Sequence, residues 1–453
     1  MNEFFEVNLP DSAPGYLVGA QLRKDFEAAV ASIKRRSAKL NAALNSSVME
    51  PNKFHAIART VFDMNPVRFD SMSVDELTGI CEVLDDGEPV IPREEWPAAT
   101  VLFDTAFTLT SEWESLRHIG IGGSESSIVM GCSPYSTQRR LFHEKVGASL
   151  ANQKSGSPVF DRGHMTESRV VEFFCQKTGA TRIPESRMFA SKAFPNSTAN
   201  IDAIVRMPDG SLYIFEAKTS KEENRKAWVN EKVPRNYITQ THQYPAVLND
   251  DRIRGTFISC MFVVDYDVDD FFIACTFDGQ RNITELIERD LDYERDLLEA
   301  EDDFWNEYIV PGVEPEAGDP ELELAFLDTM NGPADPQQAY LDLPDTLLPD
   351  IEEWLRLNEE RLTLNKKAKA LGEQQDALKC SMVSLLGTEV EGRFPISEDE
   401  YYEVRYSPSR DSCSVDADAL AIAFPEAFHA CMKHTPGSRR FSVKKVKTKK
   451  ARK

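Results

Sequence analysis

In the stretch SLYIFEAKTS, Leu212, Ile214, Glu216 and Lys218 alternate with Tyr213, Phe215 and Ala217, the period of two that marks a β-strand. Glu216 and Lys218 therefore project from one face, together with Ile214 and Leu212. An acid and an amine on an otherwise apolar strand face are costly unless they pair or hold something charged. Just upstream, STANIDAIV reads as a second strand, with Asn200, Asp202 and Ile204 on one face and Ala199, Ile201, Ala203 and Val205 on the other. Met207–Gly210 (MPDG) has turn chemistry, so the two strands are expected to form an antiparallel hairpin. Asp202 and Glu216 then lie opposite or diagonal to one another. Two carboxylates that close repel unless a proton or a divalent cation sits between them, and ligation by oxygen alone favours a hard ion such as Mg²⁺.

A third carboxylate fits the same centre. In GHMTESRVVEFFCQKTG, Glu167, Val170, Val171 and Phe174 fall at i, i+3, i+4 and i+7, one stripe of a helix, so Glu167 is on the core-facing side and Glu172 points away. A helix over Tyr237–Leu248 likewise puts Tyr237, Gln240, Thr241 and Tyr244 on one stripe, with the Gln240 amide inward. Other residues read more plainly. Asp209 belongs to the turn, Cys175 to the core, and His118, His143 and His242 show no metal-ligand spacing. IGIGGSE is not a dinucleotide fingerprint, because Glu125 occupies the third-glycine position.

The elements that must position these groups lie in the middle of a 453-residue chain. Its 52 basic and 75 acidic residues give a net charge of −23, so a basic footprint over the whole chain is missing and any nucleic-acid path must be local. No apolar run approaches the roughly 20 residues of a membrane span, and the start lacks the basic and apolar stretches of a signal peptide. The eight cysteines are scattered without a CxxC pair, which argues against zinc ribbons and cysteine-held iron–sulfur clusters and fits reduced thiols in a cytoplasm, that of a host cell if the chain is viral. Residues 1–105 are weakly marked apart from a helix near Ala20–Leu44. An acidic helical stretch is expected over Ile283–Asp303, and a Pro- and acid-rich linker or ordered meander over 311–349. A long helix near Ile351–Leu386 carries leucines every seventh residue from Leu357 to Leu385. Its intervening positions are too polar for a good coiled-coil seam, so it reads as a helix packed on its own chain, with a homo-oligomer as the alternative. A strand–helix–strand ending and a basic tail (444–453) complete the chain.

An Asp followed 14 positions later by Glu-x-Lys, preceded by a helical Glu and followed by a helical Tyr-x-x-Gln, resembles the PD-(D/E)xK nuclease core. More narrowly, the chain resembles the YqaJ-type viral recombinases, relatives of the phage lambda exonuclease. The resemblance runs through RHIGIGGSESSIVMGCSPYSTQRRLFHEKVG (Arg117–Gly147), Gly163-His164, Glu167, Asp202, Glu216-Ala217-Lys218 and Tyr237/Gln240. Glu125 stands where that family usually has Asp, Ala203 where it has Gly, and Asn200-Ile201 where it has Thr-Pro. The resemblance implies an α/β (α+β) fold with a central mixed sheet flanked by helices, a nuclease domain at 106–310, and helical N-terminal and helix-plus-strand C-terminal additions, the latter at 350–443.

It also implies roles. Asp202, Glu216 and the main-chain carbonyl of Ala217 would hold Mg²⁺, with Mn²⁺ able to substitute, and Glu167 would complete or water-bridge that shell. Lys218 would orient the attacking water and help deprotonate it, and Gln240 would position Lys218 or the water. Arg117, Ser124, His164 and Tyr237 would contact substrate phosphate, the first two at a Gly-rich turn whose N–H groups suit an anion. The expected function is a Mg²⁺-dependent exonuclease that acts on double-stranded DNA ends in phage-type recombination. The family implies 5′-to-3′ polarity and a single-strand annealing protein as partner, and no membrane association is expected. A structure-specific or nicking endonuclease on the same core, and a non-enzymatic interaction protein, are the competing expectations.

Overall fold

A computed structural model describes residues 3–147, 158–263, 282–331, 341–397, 400–408 and 417–432, with the side chains of 158–166, 231, 418 and 430 outside the description. The chain divides into two units, Met1–Gly332 and Pro333–Lys453. No helix among the described residues is long and apolar enough to cross a membrane.

The first unit begins with four helices, α1 (Ala20–Ser46), α2 (Pro51–Met64), α3 (Pro66–Ser71) and α4 (Val74–Val83). Their core is largely aromatic, with Phe5, Phe54, Phe62, Phe69 and Phe107 buried together. Arg36 on α1 is buried and ties these helices to the segment that carries Glu112. It takes both oxygens of Asp70 at 2.7 and 2.8 Å and both of Glu112 at 3.0 and 3.2 Å. A buried guanidinium held this way is satisfied along its whole fork. β1 (Ala99–Asp104) then makes the N-terminal region part of a sheet, before α5 (Thr110–Leu116), β2 (Ile121–Gly122), α6 (Gly123–Val129), α7 (Gln138–Val146) and α8 (Pro158–Thr178).

Two sheets are completed by the strands β3 (Thr181–Ile183), β4 (Arg187–Ser191), β5 (Ser197–Asn200), β6 (Ala203–Arg206) and β7 (Leu212–Lys221), then α9 (Arg225–Glu231), α10 (Arg235–Leu248), β8 (Ile253–Val263) and β9 (Asn282–Glu288). One sheet has the order β1-β4-β5-β2 and the other β3-β6-β7-β8-β9. Both are mixed: β2–β5 and β7–β8 pair in parallel, the rest antiparallel. The α/β class with a central mixed sheet flanked by helices is thus what the chain adopts.

The expected hairpin is present, with Ala203 opposite Phe215 and Arg206 opposite Leu212, closed through Gly210 at φ +88°, a left-handed conformation that suits glycine. The single strand expected over STANIDAIV is two: β5 ends at Asn200 in the first sheet, β6 starts at Ala203 in the second, and the chain bends between them at Asp202.

Toward the C-terminus the chain departs from expectation in several places. Asn282–Glu288, expected as the start of a helix, is β9, an edge strand on β8; the helix is α11 (Leu291–Phe304). Within the Pro-rich stretch 311–349, α12 (Pro320–Asn331) is helical and buries Phe326 and Glu323. In the second unit, α13 (Leu348–Leu386) is the expected long helix, but it buries none of its residues, and Leu357, Leu364, Leu371, Leu378 and Leu385 are exposed. After it come a hairpin, β10 (Glu391–Pro395) with β11 (Tyr401–Arg405), and the helices α14 (Ala417–Ala423) and α15 (Pro425–Cys431); the last strand of the expected strand–helix–strand ending and the basic tail lie outside the described residues.

Candidate active site

The hairpin register places Asp202, one residue before Ala203, beside Glu216, one residue after Phe215. The Ala217 N–H donates to Asp202 Oδ2 at 2.9 Å, so the backbone of β7 fixes the Asp202 carboxyl at the bend. Glu216 is 1% exposed. Its Oε1 accepts from the Gln240 amide at 2.8 Å and from the Lys218 ammonium, whereas Oε2 is buried with no hydrogen-bond partner. Burial pushes the Asp202 carboxyl well above the usual carboxylate range, and the negative fields of Glu216 and Glu167 add to it. Glu167 is half-buried on α8, on the same stripe as the buried Val170, Val171 and Phe174.

This donor set fits a hard divalent cation. A buried carboxylate oxygen without a donor and a neighbouring carboxyl destabilised by like charge would both be relieved by one ion between them. Among the described residues no three His, Cys, Asp or Glu side chains already stand in ligand geometry. The protein would therefore offer two carboxylates with Glu167 further out, an arrangement that suits Mg²⁺, which keeps several waters of its own.

Lys218 is 21% exposed and its ammonium lies 5.2 Å over the Tyr237 ring. Burial disfavours its charge, but Glu216 and Asp202 outweigh that and hold its pKa above the usual lysine range. It is thus a donor and a fixed positive charge in the metal-free protein, better suited to orienting water than to taking a proton. Gln240 reaches Glu216 and, at 2.6 Å, the Tyr244 hydroxyl; its contact is with the carboxylate and not with Lys218. Tyr244, whose hydroxyl burial and the two carboxylates hold well above the ordinary phenol range, was visible in the sequence only as a member of the Tyr237/Gln240 stripe.

The Gly-rich turn backs directly onto this centre. A Cβ on Gly123 would come within 2.6 Å of the Tyr244 ring and 3.3 Å of Gln240, so only glycine lets α6 approach α10 this closely. The expected phosphate cradle there is altered. Glu125 Oε2 accepts from the Gly122 N–H at 2.9 Å, and Oε1 pairs with Arg117 at 3.1 Å. Buried Lys145 also reaches Glu125 at 2.6 Å. Burial opposes the charge on Glu125, but Lys145 and Arg117 draw its pKa down to about 2. Arg117, stacked on Trp113 at 5.3 Å, and one of the turn's N–H groups are thus engaged by the chain's own carboxylate. A side chain one methylene longer than Asp can fold back from the third helical position in this way. Ser124 is exposed beside them. His164 lies on α8, its side chain outside the described residues.

Tyr237 joins the site from α10, half-buried. Its hydroxyl is pushed up to about 12, chiefly by burial, with the nearby Tyr135 adding to the rise. Asp209 stays in the turn, exposed, accepting from the Ser211 N–H at 3.0 Å. Cys175 packs at the margin of the core around Val170 and Phe215. His118, His143 and His242 stay apart from this centre and from one another in their contacts; His143 pairs with Glu314 at 2.6 Å and His242 faces Glu294 at 3.7 Å.

Residues 112–249, from α5 through α10, match the YqaJ-like viral recombinase domain, the family expected from the ordered motifs. The chain is 25% identical over 354 residues to the uncharacterised protein YqaJ of Bacillus subtilis (strain 168), covering 77% of this chain and 98% of that one. Among solved structures it is similar to the alkaline exonuclease of Laribacter hongkongensis, with a TM-score of 0.34 and 16% identity over 49% of this chain and 99% of that one. The same enzyme in complex with dAMP gives 0.33 and 17% over 48% and 96%.

Proposed function

We propose that this chain, with a YqaJ-like viral recombinase domain at its centre, is a metal-dependent deoxyribonuclease that removes nucleotides from ends of linear duplex DNA during phage-type recombination. The observation that carries the reading is the Asp202–Glu216 pair, with one Glu216 oxygen buried and unpartnered. Mg²⁺ or Mn²⁺ held there would acidify a bound water and neutralise charge that builds on the phosphate.

The side chains divide the remaining work. Asp202 and Glu216, with the Ala217 carbonyl, would hold the ion, and Glu167 would shape the field around it. Gln240 fixes the Glu216 rotamer. Lys218 orients the nucleophilic water and offsets the charge of the phosphate oxygens. Ser124, Tyr237 and His164 border the phosphate path. Removal in the 5′-to-3′ direction and hand-over of the exposed strand to an annealing protein rest on the family resemblance. A second reading, an endonuclease that nicks or cuts branched DNA, is favoured by one observation: Glu125 already occupies Arg117 and the Gly122 N–H, so a terminal phosphate must displace a carboxylate to be anchored there.

Asp202→Ala and Glu216→Ala test the metal assignment. Release of nucleotides from linear duplex in Mg²⁺ should vanish in both, with melting in EDTA unchanged or raised, because each removes one of two repelling carboxylates. More than about a tenth of wild-type activity in either, a loss under ~1.4 kcal/mol of barrier, would contradict it.

A further inference from the structure

An exposed aromatic residue stands near this centre. Tyr135 is 67% exposed on the connection between α6 and α7. That connection is held at several points. The Cys132 N–H donates to the Ser127 carbonyl at 2.9 Å, the Tyr135 N–H to Ser133 Oγ at 3.2 Å, and the Gln138 amide to the Val129 carbonyl at 2.6 Å. Cys132 Sγ lies 3.4 Å from Thr239 Oγ1 on α10, the residue before Gln240. The Tyr135 phenol lies near the Tyr237 hydroxyl and adds to the rise in its pKa; the Tyr237 ring carries the Lys218 ammonium, which in turn holds Glu216. Two side chains therefore separate an open aromatic ring from the candidate metal ligand.

The surface beside it has the opposite sign to the chain as a whole. Trp228 on α9 packs on Tyr237 at 5.4 Å, and residues 225–235 hold Arg225, Lys226, Lys232 and Arg235 against Glu231 alone. Lys226, Lys232 and Arg235 are exposed or half-exposed, in a protein whose net charge is −23. An exposed ring near Tyr237, together with accessible cations on the segment around Trp228 and at the start of α10, is the chemistry that holds a nucleic-acid strand, bases on the π-face and phosphates on the cations.

We propose that Tyr135 is a substrate-contacting residue whose ring stacks on a nucleobase next to the scissile phosphate, while Lys226, Lys232 and Arg235 hold the phosphates of the same strand. This rests on the site being a nuclease. The Tyr237 hydroxyl sets the position of the ring and so links base position to Lys218.

The test uses full-length protein and a linear duplex with 2-aminopurine near its end, first in EDTA to follow stacking by fluorescence, then in Mg²⁺ to follow cleavage. Wild type should change the 2-aminopurine emission on binding, and Tyr135→Ala should lose that change. The same variant should lower kcat/KM by about five- to 150-fold, the range of one base–aromatic stack. Tyr135→Phe should keep the emission change and most of the rate, since the ring is retained. Unchanged emission and rate in Tyr135→Ala would overturn the proposal and leave the nuclease reading standing, and a Phe variant as poor as Ala would reduce Tyr135 to a support for Tyr237. Loss of the emission change in Tyr135→Ala, with wild type inert in Mg²⁺, would instead sink the nuclease reading and keep the strand contact. A wild type that neither binds nor cuts overturns both.

Discussion

Gln240 is the residue whose role the geometry alters most. Its amide grips the buried Glu216 carboxylate, so Gln240→Ala frees that carboxylate to rotate. Loss of such a supporting partner typically costs about 10- to 100-fold in metal affinity or activity, and the Mg²⁺ concentration for half-maximal cleavage should rise accordingly. Lys218→Ala should slow cleavage at saturating Mg²⁺ with little change in that midpoint, because Lys218 bonds the carboxylate oxygen that Gln240 also holds. Equal midpoints in both variants and wild type would remove Gln240 from the metal's surroundings. Much of this centre was readable from residue types. The alternation of Glu216 and Lys218 and the short MPDG turn set which residues oppose which. Tyr135 was not legible and Tyr244 only as a member of the Gln240 stripe, because nothing in their spacing distinguishes a phenol beside a carboxylate from one in a core or on a surface. The Glu125–Arg117 pair was hidden for a related reason: a Gly-rich turn reads as an open anion cradle until the third helical residue is seen to fill it.

At the scale of elements, α6, α10, α11 and β5 meet at one buried carboxyl. Glu301 on α11 is fully buried and accepts from Ser126 Oγ at 2.5 Å, with Ser197 and Gln243 close to it. Burial first, and the Glu125 charge after it, push its pKa up to about 8 against the opposing hydrogen bonds. A folded-state pKa above the unfolded value of 4.5 means the native state binds the extra proton. Stability from this group is full below the carboxylate range and is lost as pH rises through about 8. Melting temperature should fall between these limits, and Glu301→Gln, which keeps the shape without the charge, should flatten the fall. Asp202 contributes with the same sign, so the difference between variant and wild type isolates Glu301; parallel curves would refute the assignment. Element type was harder to read than residue chemistry. Ile283, Leu286 and Ile287 suit a helix stripe as well as the strand they form. The break between β5 and β6 leaves no mark, because one alternating pattern runs through both and only the pairing partners change.

The whole molecule sets a charge problem that its fold answers locally. With a net charge of −23, DNA can approach only where cations gather, and Lys226, Lys232 and Arg235 lie next to the elements that carry Lys218 and Tyr237. The N-terminal region was weakly marked in sequence because its core is built from dispersed phenylalanines rather than a regular stripe, yet β1 pairs with β4 and makes it part of the first sheet. The second unit was legible as a long helix but not in its packing, since seven-residue leucine spacing specifies a face without specifying what covers it. The central claim, that the Asp202–Glu216 centre serves an end-dependent nuclease, is tested most directly by one comparison: end-labelled linear duplex against covalently closed circular DNA, each with Mg²⁺ and with EDTA. The account predicts that linear DNA is consumed in Mg²⁺ alone and that the closed circle survives. Cutting of the circle at a comparable rate would contradict end dependence, and cutting in EDTA would contradict the metal centre itself.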